Sequence, residues 1–136
     1  MLRRLLINNY ALIEKVDVEW TNGFSVITGE TGAGKSILLG ALGQVLGERA
    51  DFSFLKNQEE KCIIEAEFDI KQYNLESFFV ENELDYEDIT ILRREILPSG
   101  KSRAFVNDTP VKLNSLKDLG LRLINIHSQN QSHQLN

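Results

Sequence analysis

Alternating apolar and polar residues predict several half-buried strands in this chain, and one stretch has helical spacing instead. Apolar and acidic residues alternate in Val16–Trp20, and the same period of two recurs in Lys61–Ile70. Phe24–Thr28 has the composition of a more buried strand, and the Asn-Gly pair before it favours a tight hairpin. In Ser36–Leu46 the apolar residues recur three and four positions apart, which predicts a helix with one apolar face. Gly47 is placed to end that helix.

The rest of the pattern adds short strands and short helices. Strands are predicted at Leu2–Asn8, Ile89–Leu97, Arg103–Asn107 and Leu121–Ile126, and helices at Leu75–Glu83 and Asn114–Leu119. Asn74 is expected to cap the first helix and Gly120 to end the second. These elements predict a mixed α/β fold. Because an apolar core-type strand at Leu121–Ile126 is followed by a polar tail with no further element, we expect the chain to be a piece of a longer one.

Composition narrows the class of protein. Hydrophobic residues make up 42% and charged residues 26% of 136 residues, as in ordinary globular domains, which excludes intrinsic disorder. The longest apolar run is far shorter than the roughly 20 residues that span a bilayer. A single cysteine, Cys62, fits a reducing compartment, so we expect a cytoplasmic protein. The net charge of −5 excludes a nucleic-acid-binding domain that relies on bulk positive charge.

One stretch predicts a nucleotide-binding site. It consists of Gly29, Glu30, Thr31, Gly32, Ala33, Gly34, Lys35 and Ser36, which match the phosphate-loop pattern of Gly, four residues and Gly-Lys-Ser. Glycines let the backbone approach a phosphate closely, and successive N–H groups at the start of a helix attract the anion. Lys35 is placed to reach the β- and γ-phosphates of ATP as the catalytic cation, and Ser36 to ligate Mg²⁺. The alternative is a glycine-rich turn that binds no ligand.

The sequence pattern does not show the acidic residues that ATP hydrolysis needs. A phosphate-loop ATPase holds Mg²⁺ and polarises water with acidic residues that follow an apolar strand. Glu65 lies within an alternating strand, and Leu121–Ile126 is followed by a histidine and not by an acidic residue, so neither segment qualifies. A second Gly-Lys-Ser at 100–102 lies between two predicted strands and is interpreted as a hairpin turn. The chain is therefore expected to bind nucleotide without hydrolysing it efficiently.

Several segments together resemble the head domain of the SMC-like ATPases, and in detail the RecN-like branch of that family. They are Asn9–Ile13, Thr28–Leu38, Leu46–Asp51 and Ile126–Gln131. The last of these looks like the Q-loop of the family, in which a glutamine contacts Mg²⁺ and the water near the γ-phosphate. Here that glutamine is Gln129. The phosphate loop alone is generic, whereas its combination with Leu46–Asp51 and the Q-loop is far more specific.

The resemblance implies a fold and an activity that composition does not. It implies an ABC/SMC-type head of the phosphate-loop NTPase fold, of which residues 1–136 are the N-terminal lobe alone. A coiled coil and a C-terminal lobe with the signature motif and the acidic residues would follow. Two heads of a homodimer would enclose ATP, and their ATP-driven engagement would be coupled to DNA binding in the recombinational repair of double-strand breaks. The implied location is the bacterial cytoplasm, at the nucleoid and not at a membrane.

The resemblance also assigns roles to individual residues. The loop residues from Gly29 to Ser36 would bind the phosphates of ATP, and Ser36 together with Gln129 would bind Mg²⁺. Related heads carry an arginine after the segment that matches Leu46–Asp51, and the residue nearest to that position here is Lys56. A lysine keeps the charge and loses the two-pronged hydrogen bonding of arginine, which weakens the case for DNA contact at this position.

Several alternatives stay open at this point. The chain could belong to another ATPase of the same superfamily, of the SMC, RecF or ABC transporter type, or it could be a non-catalytic domain that binds an anion. The residues Arg93, Arg94, Lys101 and Arg103 could form a basic ridge, although an ordinary solvated strand face is favoured. A metal site built from Cys62, His127 and His133 does not match the ligand spacing of known zinc sites. Tyr10 could pack near the adenine of a bound nucleotide.

Overall fold

Antiparallel strands form the framework of the chain. The computed structural model describes residues 1–20, 32–50, 53 and 55–123, and the side chains of residues 32–35 are outside that description. The strands are β1 (Leu2–Tyr10), β2 (Ile13–Glu19), β3 (Cys62–Asp69), β4 (Ile89–Ile96), β5 (Ser102–Val106) and β6 (Thr109–Val111). The helices are α1 (Gly32–Val45), α2 (Glu76–Glu81) and α3, which covers residues 113–123. The prediction of a mixed α/β fold is confirmed, with antiparallel strands as its main part.

In the described part of the chain the six strands form one sheet in the order β2-β1-β3-β4-β5-β6. Every neighbouring pair is antiparallel, and β1 is hydrogen-bonded to both β2 and β3. Leu5 pairs with Val18 on one side and with Ala66 on the other, which places these three side chains on the same face. That face is covered by α1, which contacts β3, β4 and β1.

The two faces of the sheet differ sharply in chemistry. The helix-covered face carries the core, whose strand residues are Leu5, Ile7, Cys62, Ile64, Ala66, Phe68, Leu92, Ile96, Ala104 and Val106. Burial raises the pKa of the Cys62 thiol to about 12, so this cysteine behaves as a small apolar core residue. No group of three or more potential metal ligands occurs among the described residues. His127 and His133 lie outside the described residues.

The open face carries paired charges instead of a basic ridge. Arg93 lies 3.7 Å from Glu65 and 3.5 Å from Glu95, and its guanidinium stacks 4.2 Å from the centroid of the Phe105 ring. Arg103 also pairs with Glu95. Arg94, the next residue along β4, points to the opposite face and is fully buried. The four basic residues therefore do not meet on one surface.

Helix α3 corrects the prediction for the end of the chain. A strand was expected at Leu121–Ile126, but residues 121–123 continue the helix that began at 113, and 124–126 lie outside the described residues. Leu116, Leu119 and Leu123 are buried while Leu121 is exposed, so the apolar residues follow helical spacing straight through Gly120. Gly120 does not end the helix.

Two smaller expectations also differ from the structure. Asn74 does not cap α2: the N-cap residue is Leu75, and Asn74 has a φ of 57° in the turn before it. Strand β6 was not predicted, because it has three residues and one is a proline on the sheet edge. The hairpin expected at 21–23 and the strand expected at Phe24–Thr28 lie outside the described residues.

Two glycines, Gly47 and Gly120, let α3 pack directly against the end of α1. A Cβ atom on Gly120 would overlap the carbonyl oxygen of Leu46, and one on Gly47 would lie 2.5 Å from the Cα of Lys117. The two backbones therefore touch, with no room for a side chain between them. Gly47 has a φ of +107°, which favours glycine at this position in any case.

We expect Gly120→Ala to lower the free energy of unfolding by about 2 kcal/mol, because the added methyl overlaps main-chain atoms that cannot rotate away. Helix propensity alone predicts the opposite sign, a gain of about 1 kcal/mol for glycine to alanine within a helix. Urea unfolding curves of the wild type and of Gly120→Ala show whether the variant loses or gains stability. Asp118→Ala, on the exposed side of the same helix, is the control and should change stability little. A stabilised Gly120→Ala variant would contradict the contact.

Candidate nucleotide-binding site

The second half of the phosphate-loop motif forms the first turn of α1. The helix begins at Gly32, four residues earlier than the predicted start at Ser36, and carries no acidic residue in its first turn. The first N–H groups of a helix have no partner within the helix and attract anions. The side chain of Ser36 is exposed. This end of α1 therefore has the polarity and the open hydroxyl that a phosphate site requires.

Several predicted site residues are not placed by the structure. Gly29, Glu30, Thr31 and Gln129 lie outside the described residues. Of Gly32, Ala33, Gly34 and Lys35 the structure describes the helical backbone alone. Their contacts with ATP and Mg²⁺ stay predictions.

The middle of α1 rests on the end of strand β1. The hydroxyl of Tyr10 lies so close to Gly40 that a Cβ there would come within 2.8 Å of it. Tyr10 is buried, as are Ala41 and Val45 on the same helix. Tyr10 thus packs between strand β1 and helix α1. The sequence left open whether Tyr10 packs near an adenine, and the structure places it against the helix.

The C-terminal end of α1 closes with a glycine-dependent turn. The N–H of Gly47 donates to the carbonyl of Gln44 at 3.3 Å, and the N–H of Glu48 donates to the carbonyl of Gly43 at 3.1 Å. This pair of bonds is the Schellman arrangement, and the prediction that Gly47 ends the helix is confirmed. Gly43 leaves space for the Glu48 carboxylate, which would lie 2.7 Å from a Cβ at that position.

Arg94 reaches this closing turn from strand β4. Its Nη1 donates to the carbonyl oxygens of Gln44 at 2.8 Å and Glu48 at 2.7 Å, and its Nη2 to the Ser102 hydroxyl at 3.1 Å. The side chain is completely buried, and no carboxylate among the described residues lies within ion-pair distance of it. Desolvation lowers the pKa of this guanidinium. A cation at the carbonyl end of a helix opposes the negative end of the helix dipole.

Sequence reasoning missed this role for Arg94. A signal was present, since Thr90, Leu92, Arg94 and Ile96 occupy alternate positions of one predicted strand and so share one face. An arginine among such neighbours faces the core and needs buried acceptors.

Asn9 holds the segment that carries Lys56. Its side-chain amide donates to the carbonyls of Asn57 at 2.9 Å and Glu60 at 3.0 Å, and its side-chain oxygen accepts from the N–H of Asn57 at 2.6 Å. Asn9 is 6% exposed and has a φ of 58°, a conformation that asparagine tolerates better than most residues. Lys56 is exposed, in a groove that also contains Lys15 and several acidic and amide side chains.

Comparison with known proteins identifies the family. Residues 1–132 match the family model described as RecF/RecN/SMC N terminal domain. The chain belongs to the RecF/RecN/SMC family. It is 46% identical over 136 residues to the DNA repair protein RecN of Vibrio cholerae and 41% identical to that of Xylella fastidiosa strain Temecula1. In both cases 99% of the chain is covered, and it spans 24% of the length of these curated relatives.

A structural comparison within the RecF/RecN/SMC family shows the same fold. An SMC ATPase chain, solved in work on ATP-driven dimerization and DNA-stimulated activation, superposes with a TM-score of 0.66. The match covers 90% of this chain and 79% of that one at 20% identity. The expected SMC-type head fold and the resemblance to RecN proteins are confirmed. Among the described helices, none is long and apolar enough to cross a membrane.

We expect Asn9→Asp to lower the free energy of unfolding by about 3 kcal/mol, because the amide donors of two buried bonds are replaced by a charged acceptor facing carbonyl oxygens. Aspartate tolerates the same backbone conformation, so the hydrogen bonds are isolated from strain. Urea unfolding measures the change. Asn8→Asp, one residue away on the opposite face, should cost about 0.5 kcal/mol or less. Equal losses in the two variants would refute the role of Asn9.

Proposed function

We propose that residues 29–36 bind the triphosphate of ATP and that this chain is the N-terminal lobe of an SMC-like ATPase head. The observation that carries the proposal is the start of α1 at Gly32, inside the phosphate-loop motif, with no carboxylate in the first turn. The backbone N–H groups there face an anion without competition from an acidic cap. Membership of the RecF/RecN/SMC family supports the same assignment.

Within this proposal each polar residue has a stated task. Lys35 contacts the β- and γ-phosphates as a point charge, and Ser36 and Gln129 offer oxygen atoms to Mg²⁺, which prefers such ligands. The exposed Ser36 hydroxyl at the first turn of α1 fits that task. When bound, Mg²⁺ would offset the negative charge of the β- and γ-phosphates.

The acidic residues of the ATPase site are proposed to come from the C-terminal lobe. Glu65 lies on the open face, paired with Arg93 and away from α1. The helix itself is apolar well beyond its buried side: Leu39 is 40% exposed, and Ile37, Leu38 and Leu42 are half-buried. A helix that is apolar around most of its circumference is normally covered on both sides. This surface supports docking of a second layer, which we assign to the C-terminal lobe of the same head.

For the whole protein we propose a role in the repair of DNA double-strand breaks by recombination. The relatives described above are named DNA repair proteins, and the chain covers about a quarter of their length. On this proposal two heads of a homodimer engage around ATP in the bacterial cytoplasm, and engagement is coupled to DNA binding at the nucleoid. The exposed Lys56, which has no ion-pair partner among the described residues, is the proposed DNA contact of this lobe.

Lys35→Ala should weaken the binding of ATP–Mg²⁺ to the full-length protein about 10- to 100-fold, the loss expected for one charge-assisted hydrogen bond. Calorimetric titration measures the affinity, and release of phosphate is followed in parallel. Lys101→Ala provides a matched control, because Lys101 is the lysine of the second Gly-Lys-Ser and lies exposed in the β4–β5 turn. That variant should bind like the wild type.

Two outcomes would overturn the proposed site. One is binding of ATP–Mg²⁺ that is unchanged in Lys35→Ala. The other is a wild-type protein that binds sulfate as tightly as ATP–Mg²⁺, which would favour the non-catalytic anion-binding alternative.

A further inference from the structure

We infer that Arg94 is a positioning residue for the phosphate loop: by anchoring the C-terminal end of α1 to the sheet, it sets where the first turn of the helix lies. The inference rests on the proposed function of residues 29–36. Its basis is the set of three hydrogen bonds that join one guanidinium to the carbonyls of Gln44 and Glu48 and to the hydroxyl of Ser102. These acceptors belong to the end of α1, the turn that follows it and strand β5.

Stability alone does not explain an arginine at this place. Burying a charge without a carboxylate partner is costly, and apolar replacements of buried charges are often neutral or stabilising. The Nε atom of Arg94 has no hydrogen-bond partner among the described groups, which adds to that cost. The guanidinium does supply a defined orientation, because its planar group of N–H donors holds two carbonyl groups and a hydroxyl in one geometry.

Because α1 is a rigid helix, a change in the position of its C-terminal end also moves the phosphate loop at its N-terminal end. The helix has 14 residues and is therefore about 20 Å long. It rests on Tyr10 at Gly40, with the longer part of the helix on the side of the phosphate-binding turn. When a rigid rod tilts on such a support, the longer arm moves further than the shorter one. If the C-terminal end shifts by about 1 Å, the phosphate-binding turn therefore shifts by at least about 1 Å in the opposite direction, enough to disrupt contacts that depend on placement.

The neighbouring strand residue offers a matched control. Arg93 precedes Arg94 on β4 but points to the open face, where it pairs with Glu65 and stacks on Phe105. The same substitution at the two positions removes the same chemical group from the two faces of one strand. Only the change at position 94 reaches α1.

The test compares Arg94→Met, Arg94→Lys and Arg93→Met in the full-length protein. Affinities for ATP–Mg²⁺ and for tripolyphosphate–Mg²⁺ are measured by calorimetry, at a temperature where urea curves show each variant to be folded. We expect Arg94→Met to weaken both ligands by about tenfold, the size of a displacement that spoils one charge-assisted contact. An equal loss for tripolyphosphate, which has no base or sugar, locates the effect at the phosphate site. Loss of packing elsewhere in a folded protein would not produce it.

Arg94→Lys retains the positive charge and can still donate to the helix carbonyls, but it cannot also reach Ser102 in the same fork. It should recover most of the affinity, and it keeps the test decisive if Arg94→Met does not fold. Arg93→Met should bind both ligands within about twofold of the wild type, because the Arg93 side chain lies on the face of the sheet away from α1 and its ion pairs do not involve that helix.

The inference fails if a folded Arg94→Met binds both ligands like the wild type, or if Arg93→Met loses as much affinity. These results differ from a failure of the proposed function. In that case the wild type itself would not bind ATP–Mg²⁺, or would bind it without dependence on Lys35.

Discussion

The guanidinium of Arg94 joins the three parts of the fold that meet at the end of α1. Strand β4 supplies the side chain, strand β5 supplies the Ser102 hydroxyl, and the last turn of α1 and the turn after it supply the two carbonyl oxygens. The glycine contact between α3 and α1 lies at the same place. This cluster of polar bonds ties the C-terminal end of α1 to the sheet, whereas the rest of the interface between them is largely apolar.

Sequence patterns captured those elements whose burial has a simple period. Strand β3 was evident because apolar and acidic side chains alternate without interruption through Cys62–Asp69. The end of α1 was evident because Gly47 supplies a backbone conformation that other residues resist. The motif at the start of α1 was recognised from residue types alone, and the helix begins within it, at Gly32, four residues before the predicted start.

The remaining features depend on information that a linear pattern does not contain. Whether residues 121–123 continue a helix or start a strand cannot be decided from a short apolar run; contact between Gly120 and Leu46 favours the helix. Arg94 was grouped with Arg93 because charged side chains are normally exposed, and only the pairing of β4 with its neighbours assigns them to opposite faces. Asn9 matched a family segment by identity, and its purpose became clear only when Asn57 was found beside it.

The order of strands in the sheet has a consequence for how the chain folds. β1 is made first, yet along one edge it is hydrogen-bonded to β3, as in the pairing of Ile7 with Ile64. The helix with the phosphate loop lies entirely within the segment that this pairing closes, so α1 emerges from the ribosome before the surface that supports it exists. Closing a long segment costs entropy before any contact compensates for it, and sheets built this way fold slowly. Translation must therefore pass β4, which carries Arg94, before the phosphate-loop helix can be held in place.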